Sequence, residues 1–246
     1  MKTCLITGAS GGVASSLAEN LRSQGWKLAL ASRNIEKLES HTNEKIIAAD
    51  VSTEAGAELA VQEATEFFGA LPGAVVNCAG AIIIAPTART TEAQYRSCLS
   101  ANLDTAFFTG KAYAAALQKA KQSGSLILFS SVAAASGVGN HAAIAIAKGG
   151  IEALVRSLAA DFSGIGLRVN AIAPGLMQTP ATERMVSNEA AAKQIAAQYP
   201  LGRYGQASDA ANLAAFLISD QATWITGQII SVDGGFSAVR PYVKSV

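Results

Sequence analysis

Short runs of β-branched and aliphatic residues alternate with longer stretches of helical periodicity along all 246 residues. That alternation constrains the fold more than any other feature. Parallel strands need a crossover of about a dozen or more residues between them, usually a helix, and such a chain closes into a parallel sheet with helices on both faces. Strands are predicted at residues 2–7, 27–32, 45–49, 74–78, 125–130, 168–173 and 228–232, and helical segments at 13–24, 35–39, 53–68, 91–122, 142–162 and 207–219. The stretch 91–122 is expected in two pieces around Asn102, because Ser100-Ala101-Asn102-Leu103-Asp104 is unusually polar for mid-helix. Residues 176–200 show no strand pattern and contain Pro180, two methionines and an alanine-rich run, so they read as a mobile helical lid over a substrate.

Half the residues are apolar, enough for one large core, so residues 1–246 are expected to form a single domain. The net charge is +1, only 15% of residues are charged, and Lys and Arg never cluster. Nucleic acid and anionic membranes therefore find no electrostatic footprint, and a small molecule is the expected partner. Cys4, Cys78 and Cys98 lie far apart without a Cys-x-x-Cys spacing or a histidine cluster, which argues against a metal site or disulfide framework and for reduced thiols in a cytoplasmic protein. The apolar run before Gly8 is too short for a signal-peptide core, and none reaches the roughly 18 residues of a transmembrane helix.

Thr7-Gly8-Ala9-Ser10-Gly11-Gly12-Val13-Ala14 follows the first strand and opens a helix. A glycine at 8 permits a sharp exit from the strand, and a glycine at 12 lets backbone approach a pyrophosphate seated on the helix N-terminus. Gly8, Ser10, Gly11, Gly12 and Val13 are thus candidate dinucleotide-binding positions. Glycines after a strand are also simply turns; position in the chain favours the cradle. After the second strand comes Ala31-Ser32-Arg33-Asn34, with no acidic residue to accept the hydroxyls of an NAD ribose. Arg33 instead offers a guanidinium to a 2′-phosphate, or else caps a surface turn.

Further along stand Asp50-Val51, Asn77-Cys78-Ala79-Gly80, Asn102, Ser131, Lys148, Pro174-Gly175 with Thr179, and a closing Ser231-Val232-Asp233-Gly234-Gly235. In this order, over nearly the whole chain, they resemble the motifs of the short-chain dehydrogenase/reductase family. The glycine turn resembles that family's Gly-x-x-x-Gly-x-Gly, with Ala14 in place of the third glycine. The resemblance implies a Rossmann-type, doubly wound sheet of seven parallel strands, the seventh at one edge. It implies a nicotinamide dinucleotide, NADP(H) in preference to NAD(H), held by the glycine turn, Arg33, Asp50, Val51, Asn77, Ala79, Gly80, Lys148, Pro174, Gly175 and Thr179. No metal is implied.

The resemblance also implies a catalytic set of Asn102, Ser131, a tyrosine and Lys148, and here the chain departs from the pattern. Thirteen residues beyond Ser131 and four before Lys148 stands Ile144, which neither donates nor accepts a proton. His141 is the nearby group that titrates near neutral pH; helical geometry puts it two turns before Lys148 on nearly the same face, with Asn140 as the expected helix cap. A neutral imidazole there could donate a hydrogen bond to a developing oxyanion, or His141 is a polar loop residue and Ile144 packing. Two functions follow. One is an oxidoreductase interconverting a ketone or aldehyde and an alcohol, with His141 or water in place of tyrosine. The other is a non-catalytic dinucleotide-binding subunit that supports an active paralogue in a hetero-oligomer or senses the nicotinamide pool. Either is expected to form a homo-oligomer, dimer or tetramer, through the helices at 91–122 and 142–162, where Ala145, Gly149 and Ala153 recur at four-residue steps. The tail 240–246 is apolar enough to pack on a neighbour, and an apolar substrate pocket is expected from residues 81–86 and 176–185.

Overall fold

The computed structural model describes residues 2–38 and 41–240. Its elements run β1 (Thr3–Thr7), α1 (Gly12–Ser23), β2 (Lys27–Ser32), β3 (Glu44–Ala48), α2 (Glu54–Phe68), β4 (Ala74–Asn77), α3 (Glu92–Leu99), α4 (Thr105–Ala120), β5 (Gly124–Phe129), α5 (Ala142–Phe162), β6 (Leu167–Pro174), β7 (Met177–Gln178), α6 (Glu189–Ala196), β8 (Gly205–Gln206), α7 (Ala207–Ile218) and β9 (Ile229–Val232). Residue 39, the end of one expected helical segment, and the tail at 241–246 lie outside the described residues.

Seven strands form one all-parallel sheet in the order β3-β2-β1-β4-β5-β6-β9. Strand order reverses between β1 and β4, and in open α/β sheets ligands bind in the crevice at the carboxyl ends of the strands at such a point. Both faces are covered, which is why β1 and β4 are buried along their whole length instead of alternating. On one face Ala57, Ala60, Val61 and Ala64 of α2 pack with Ala114 and Leu117 of α4 and Ile151 and Val155 of α5. On the other, Leu17 and Leu21 of α1 meet Ala211, Ala214 and Leu217 of α7. Small residues at these helix positions allow close approach to the sheet, and each buried leucine or isoleucine contributes about 1.5–3 kcal/mol.

Two expectations are corrected. The segment beginning at 35 is a single 3₁₀ turn, Ile35–Lys37, too short to be a helix. Residues 176–200 do contain a strand: β7 pairs in parallel with β8, Met177 opposite Gly205. Two residues cannot display a period, so this strand left no trace in the pattern. The same segment carries a 3₁₀ turn at Glu183–Met185 and helix α6, joined by turns. Around Asn102 the chain stays helical but widens into a π-turn, Ser100–Asp104, between α3 and α4.

Candidate active site

The ends of β1 and β4 build the floor of the crevice. Gly8 has φ of +66°, and a Cβ there would lie 2.4 Å from the Ala79 backbone nitrogen; only glycine permits both the left-handed turn and the contact. Asn77, buried at the end of β4, braces this junction: its Oδ1 accepts from the Thr7 hydroxyl at 2.7 Å and from the Ala79 N–H at 3.1 Å. Helix α1 then starts at Gly12 with Gly11 as its N-cap and no side-chain cap. The N–H groups of its first turn are left for an external acceptor, which together with the helix dipole favours an anion. A Cβ on Gly12 would meet the Thr179 side chain at 2.9 Å, so the segment after β6 folds down directly onto the glycine turn.

At the end of β2, Ser32 accepts the Asn34 N–H at 3.2 Å and shares a hydrogen bond with Ser10 at 3.1 Å. Arg33, between them, is exposed. Asp50 accepts from the Ser52 hydroxyl at 2.7 Å and the Ser52 N–H at 3.1 Å. These bonds, helped by the charge of Arg33, hold its carboxyl below the usual range. Val51 beside it is buried.

Deeper in the crevice, Lys148 is 8% exposed and donates to the Phe129 carbonyl at 2.8 Å. Burial brings its amine down to about 8. Asn102 spends both amide protons, on the carbonyls of Cys98 and Ala81, each at 2.9 Å. Asn102 is the buried residue of the π-turn Ser100–Asp104. The remaining oxygen, Oδ1, would lie 2.9 Å from a Cβ on Gly80, and the Lys148 amine 3.7 Å from the same point. Gly80 thus leaves a hollow faced by an acceptor and a cation. Ser131 caps a 3₁₀ turn, Val132–Ala134, by accepting the Ala133 N–H at 3.2 Å; among the described residues nothing accepts its own proton. Ile144, 6% exposed, packs with Cys98, Ala143 and Ala147, against Ile83, Tyr95, Leu99 and Leu103.

The family model described as Enoyl-(Acyl carrier protein) reductase matches residues 8–237. A tropinone reductase homologue of Arabidopsis thaliana is 31% identical over 96% of this chain and 92% of its own length. Levodione reductase of Leifsonia aquatica is 32% identical over 96% and 94%. A crystal structure of a short-chain dehydrogenase/reductase of Brucella melitensis, described as SDR:Glucose/ribitol dehydrogenase, superposes with a TM-score of 0.88 at 31% identity, covering 96% of each chain. The chain belongs to the short-chain dehydrogenase/reductase family.

In this short-chain dehydrogenase/reductase, three sequence motifs meet at one place: the glycine turn, the Asn77–Gly80 corner and the Pro174–Thr179 segment. Pro174 ends β6, and Gly175 donates to the Val232 carbonyl at 3.0 Å. Two residues that sequence reasoning missed hold this segment. The Thr182 hydroxyl accepts the Thr179 N–H at 3.0 Å, and the Tyr199 hydroxyl accepts the Leu176 N–H at 2.8 Å. The signal for Tyr199 was its neighbour: a Cβ on Gly175 would lie 2.8 Å from the Tyr199 ring, a contact that spacing along the chain does not reveal.

His141 stands differently from expectation. The helix cap is His141 itself and not Asn140, and it makes no side-chain cap bond. Asn140 has φ of +63° and turns its carbonyl to the Ala85 N–H at 3.0 Å, so its geometry serves the loop and not the helix. The His141 Nδ1 lies 2.6 Å from the Gly139 carbonyl. A carbonyl only accepts, so Nδ1 carries the proton, and Nε2 of the neutral ring is an acceptor. The neutral imidazole therefore has no second N–H to offer an oxyanion.

The three cysteines are free thiols. Burial pushes Cys78 up to about 12 and Cys4 higher still, which keeps both inert. Among the described residues no His, Cys, Asp or Glu cluster could hold a metal, and no helix is long and apolar enough to cross a membrane.

Proposed function

We propose that the protein is an NADP(H)-dependent oxidoreductase that interconverts a ketone or aldehyde and an alcohol through a proton donor other than tyrosine. The observation that carries this reading is the hollow at Gly80, where Asn102 Oδ1 and the Lys148 amine converge, in a chain whose helix α1 starts uncapped after the glycine turn. The residues fit a dinucleotide. Its pyrophosphate suits the first-turn N–H groups at Gly12 and Val13, approached over Gly8, Ser10 and Gly11; its adenosine end suits Asp50, Val51 and Arg33; its nicotinamide end suits Asn77, Ala79, Gly80, Lys148, Pro174, Gly175 and Thr179. The chemistry such a group supplies when bound is hydride transfer. NADP(H) over NAD(H) rests on Arg33 and the absence of a carboxylate at the end of β2.

The chain's own residues supply the rest. Ser131 donates its free proton to the substrate oxygen. Lys148 places a positive charge beside it, and Asn102 Oδ1 accepts from a water on the proton path. Where the family's tyrosine would stand, Ile144 seals the wall with apolar contacts. Proton exchange falls to water or to His141, whose Nε2 takes a proton from an alcohol in the oxidative direction and returns it as imidazolium in the reductive one. Segment 176–200 serves as the lid, and Ile82 and Ile84, both exposed on the 81–86 loop, offer an apolar rim. A panel of carbonyl compounds with NADPH and NADH, run on the wild type and on His141→Ala, tests the reading. Turnover that falls in His141→Ala supports it; no turnover with any compound, and a background that His141→Ala leaves unchanged, overturns it.

A second reading draws on Ile144: a dinucleotide-binding subunit with a disarmed site, paired with an active paralogue or sensing the nicotinamide pool. Recovery from the native source as an active homo-oligomer would remove it. Conversely, Ile144→Tyr is expected to raise carbonyl turnover by about 10²–10⁴-fold if only the acid is missing.

We also propose a cytoplasmic homo-oligomer. Ala145 and Gly149 are half-buried and Ala153 is exposed, with nothing within 4 Å of a Cβ on Gly149. Phe107 on α4 and Ile146 on α5 expose about half their surface, at 46% and 54%. A second copy seated on α4 and α5 covers both.

A further inference from the structure

A cavity of about 890 Å³ opens between residues 135–137, the chain around Tyr199, and the C-terminal stretch from Phe236 to Arg240. Two of its walls continue the elements that frame the candidate active site. Residues 135–137 follow directly on the turn that Ser131 caps, and Tyr199 both covers Gly175 and holds the Leu176 N–H. The volume suits an organic molecule rather than an ion. Its apolar surface comes from the Tyr199 and Phe236 rings, tilted with centroids 5.4 Å apart, and from Pro200 and Val239.

Arg240 is the charged residue of the lining, and no carboxylate faces it there. Its guanidinium donates to the carbonyl of its own neighbour Val239 at 3.3 Å. Some arginines are paired with acids, Arg22 with Glu44 and Arg203 with Asp209. The nearest acid in sequence, Asp233, gives its oxygens to Ser237 and to the Gly235 N–H. Among the described residues Arg240 has no anionic partner. A guanidinium beside an apolar, partly aromatic wall selects an organic anion with a hydrophobic body.

We propose that this cavity receives the anionic end of the substrate, so that the natural substrate is a carbonyl compound or alcohol bearing a carboxylate or phosphate on a hydrophobic body, anchored by Arg240. The word substrate rests on the oxidoreductase reading; the binding of the anion does not.

The test is calorimetric titration with benzoylpropionate and, separately, its uncharged methyl ester, each with and without saturating NADPH. The acid is expected to bind about tenfold more tightly than the ester, as a partly exposed charge-assisted contact allows, and the advantage shrinks at high salt. Arg240→Gln removes the advantage, Arg240→Lys keeps part of it, and neither changes NADPH affinity, which reports on the fold. Equal binding of acid and ester, an advantage that survives Arg240→Gln, or no binding of the acid at millimolar concentration overturns the proposal. Preferential binding of the acid without turnover leaves the anion site standing and counts against the oxidoreductase reading alone. A phosphate monoester of a similar aryl ketone, titrated alongside, decides which anion is preferred.

Discussion

Lys148 shows how one buried side chain sets a pH window. Its amine falls from 10.5 to about 8 because burial disfavours the charged form. The folded value lies below the unfolded one. Below about pH 8 both states hold the proton and the folded state bears the full cost of burying it; as pH rises from about 8 to 10.5, the folded state sheds the proton first and the cost fades. Stability from this group therefore rises with pH across that window; if Lys148 holds the dinucleotide as proposed, that grip falls as the charge is lost. Fluorescence titration of NADPH between about pH 6.5 and 9.5 should show affinity weakening above about pH 8, whereas Lys148→Met binds weakly and without that pH step. Gly8 makes a steric argument at the same scale. Gly8→Ala must accept a left-handed φ and a clash with Ala79, and is expected to cost at least ~2 kcal/mol in chemical denaturation, with loss of NADPH binding.

The π-turn between α3 and α4 is the element on which the site's acceptor depends. Within the widened turn the Asn102 amide donates back to the Cys98 carbonyl and across to that of Ala81. Asn102→Ala leaves the buried Cys98 carbonyl without that partner, which costs about 1–3 kcal/mol, measurable as a shift in denaturation midpoint. Asn102→Asp cannot repair the loss, since a carboxylate has no proton for either carbonyl. The polarity of Ser100–Asp104 signalled an interruption, but not its kind, because helix widening is decided by which carbonyl the side chain meets. The α5 start shows the same limit: spacing placed His141 on a helix face, yet the chain enters the helix only at Ala142 and the imidazole turns back to Gly139.

For the whole molecule, the doubly wound sheet brings the β1 and β4 ends together and leaves α4 and α5 outward on one side. If a second copy covers them, Ile146→Glu and Ala153→Glu place charges in that seam. Sedimentation velocity should then show the wild-type oligomer replaced by monomer, with NADPH binding kept; a wild type that sediments as a monomer discards this interface. The apolar faces that the sheet covers were readable from the sequence as periodicities. Those left uncovered were not separable from them, because a period states that a face is apolar and not what it meets.

The seven strands of the main sheet, most helices, the glycine turn and Lys148 were legible in the order of residues along the chain, whereas the 3₁₀ turn at Ile35–Lys37 and the strand Met177–Gln178 were not. Local backbone preference and hydrophobic period act over a few neighbours and need no knowledge of distant segments. The contacts of Gly8 with Ala79, Gly12 with Thr179 and Tyr199 with Gly175, the cavity at Arg240, and the lowered charge affinity of Lys148 came only with the folded chain. Each joins residues remote in sequence, and both desolvation and steric exclusion depend on what surrounds an atom in space.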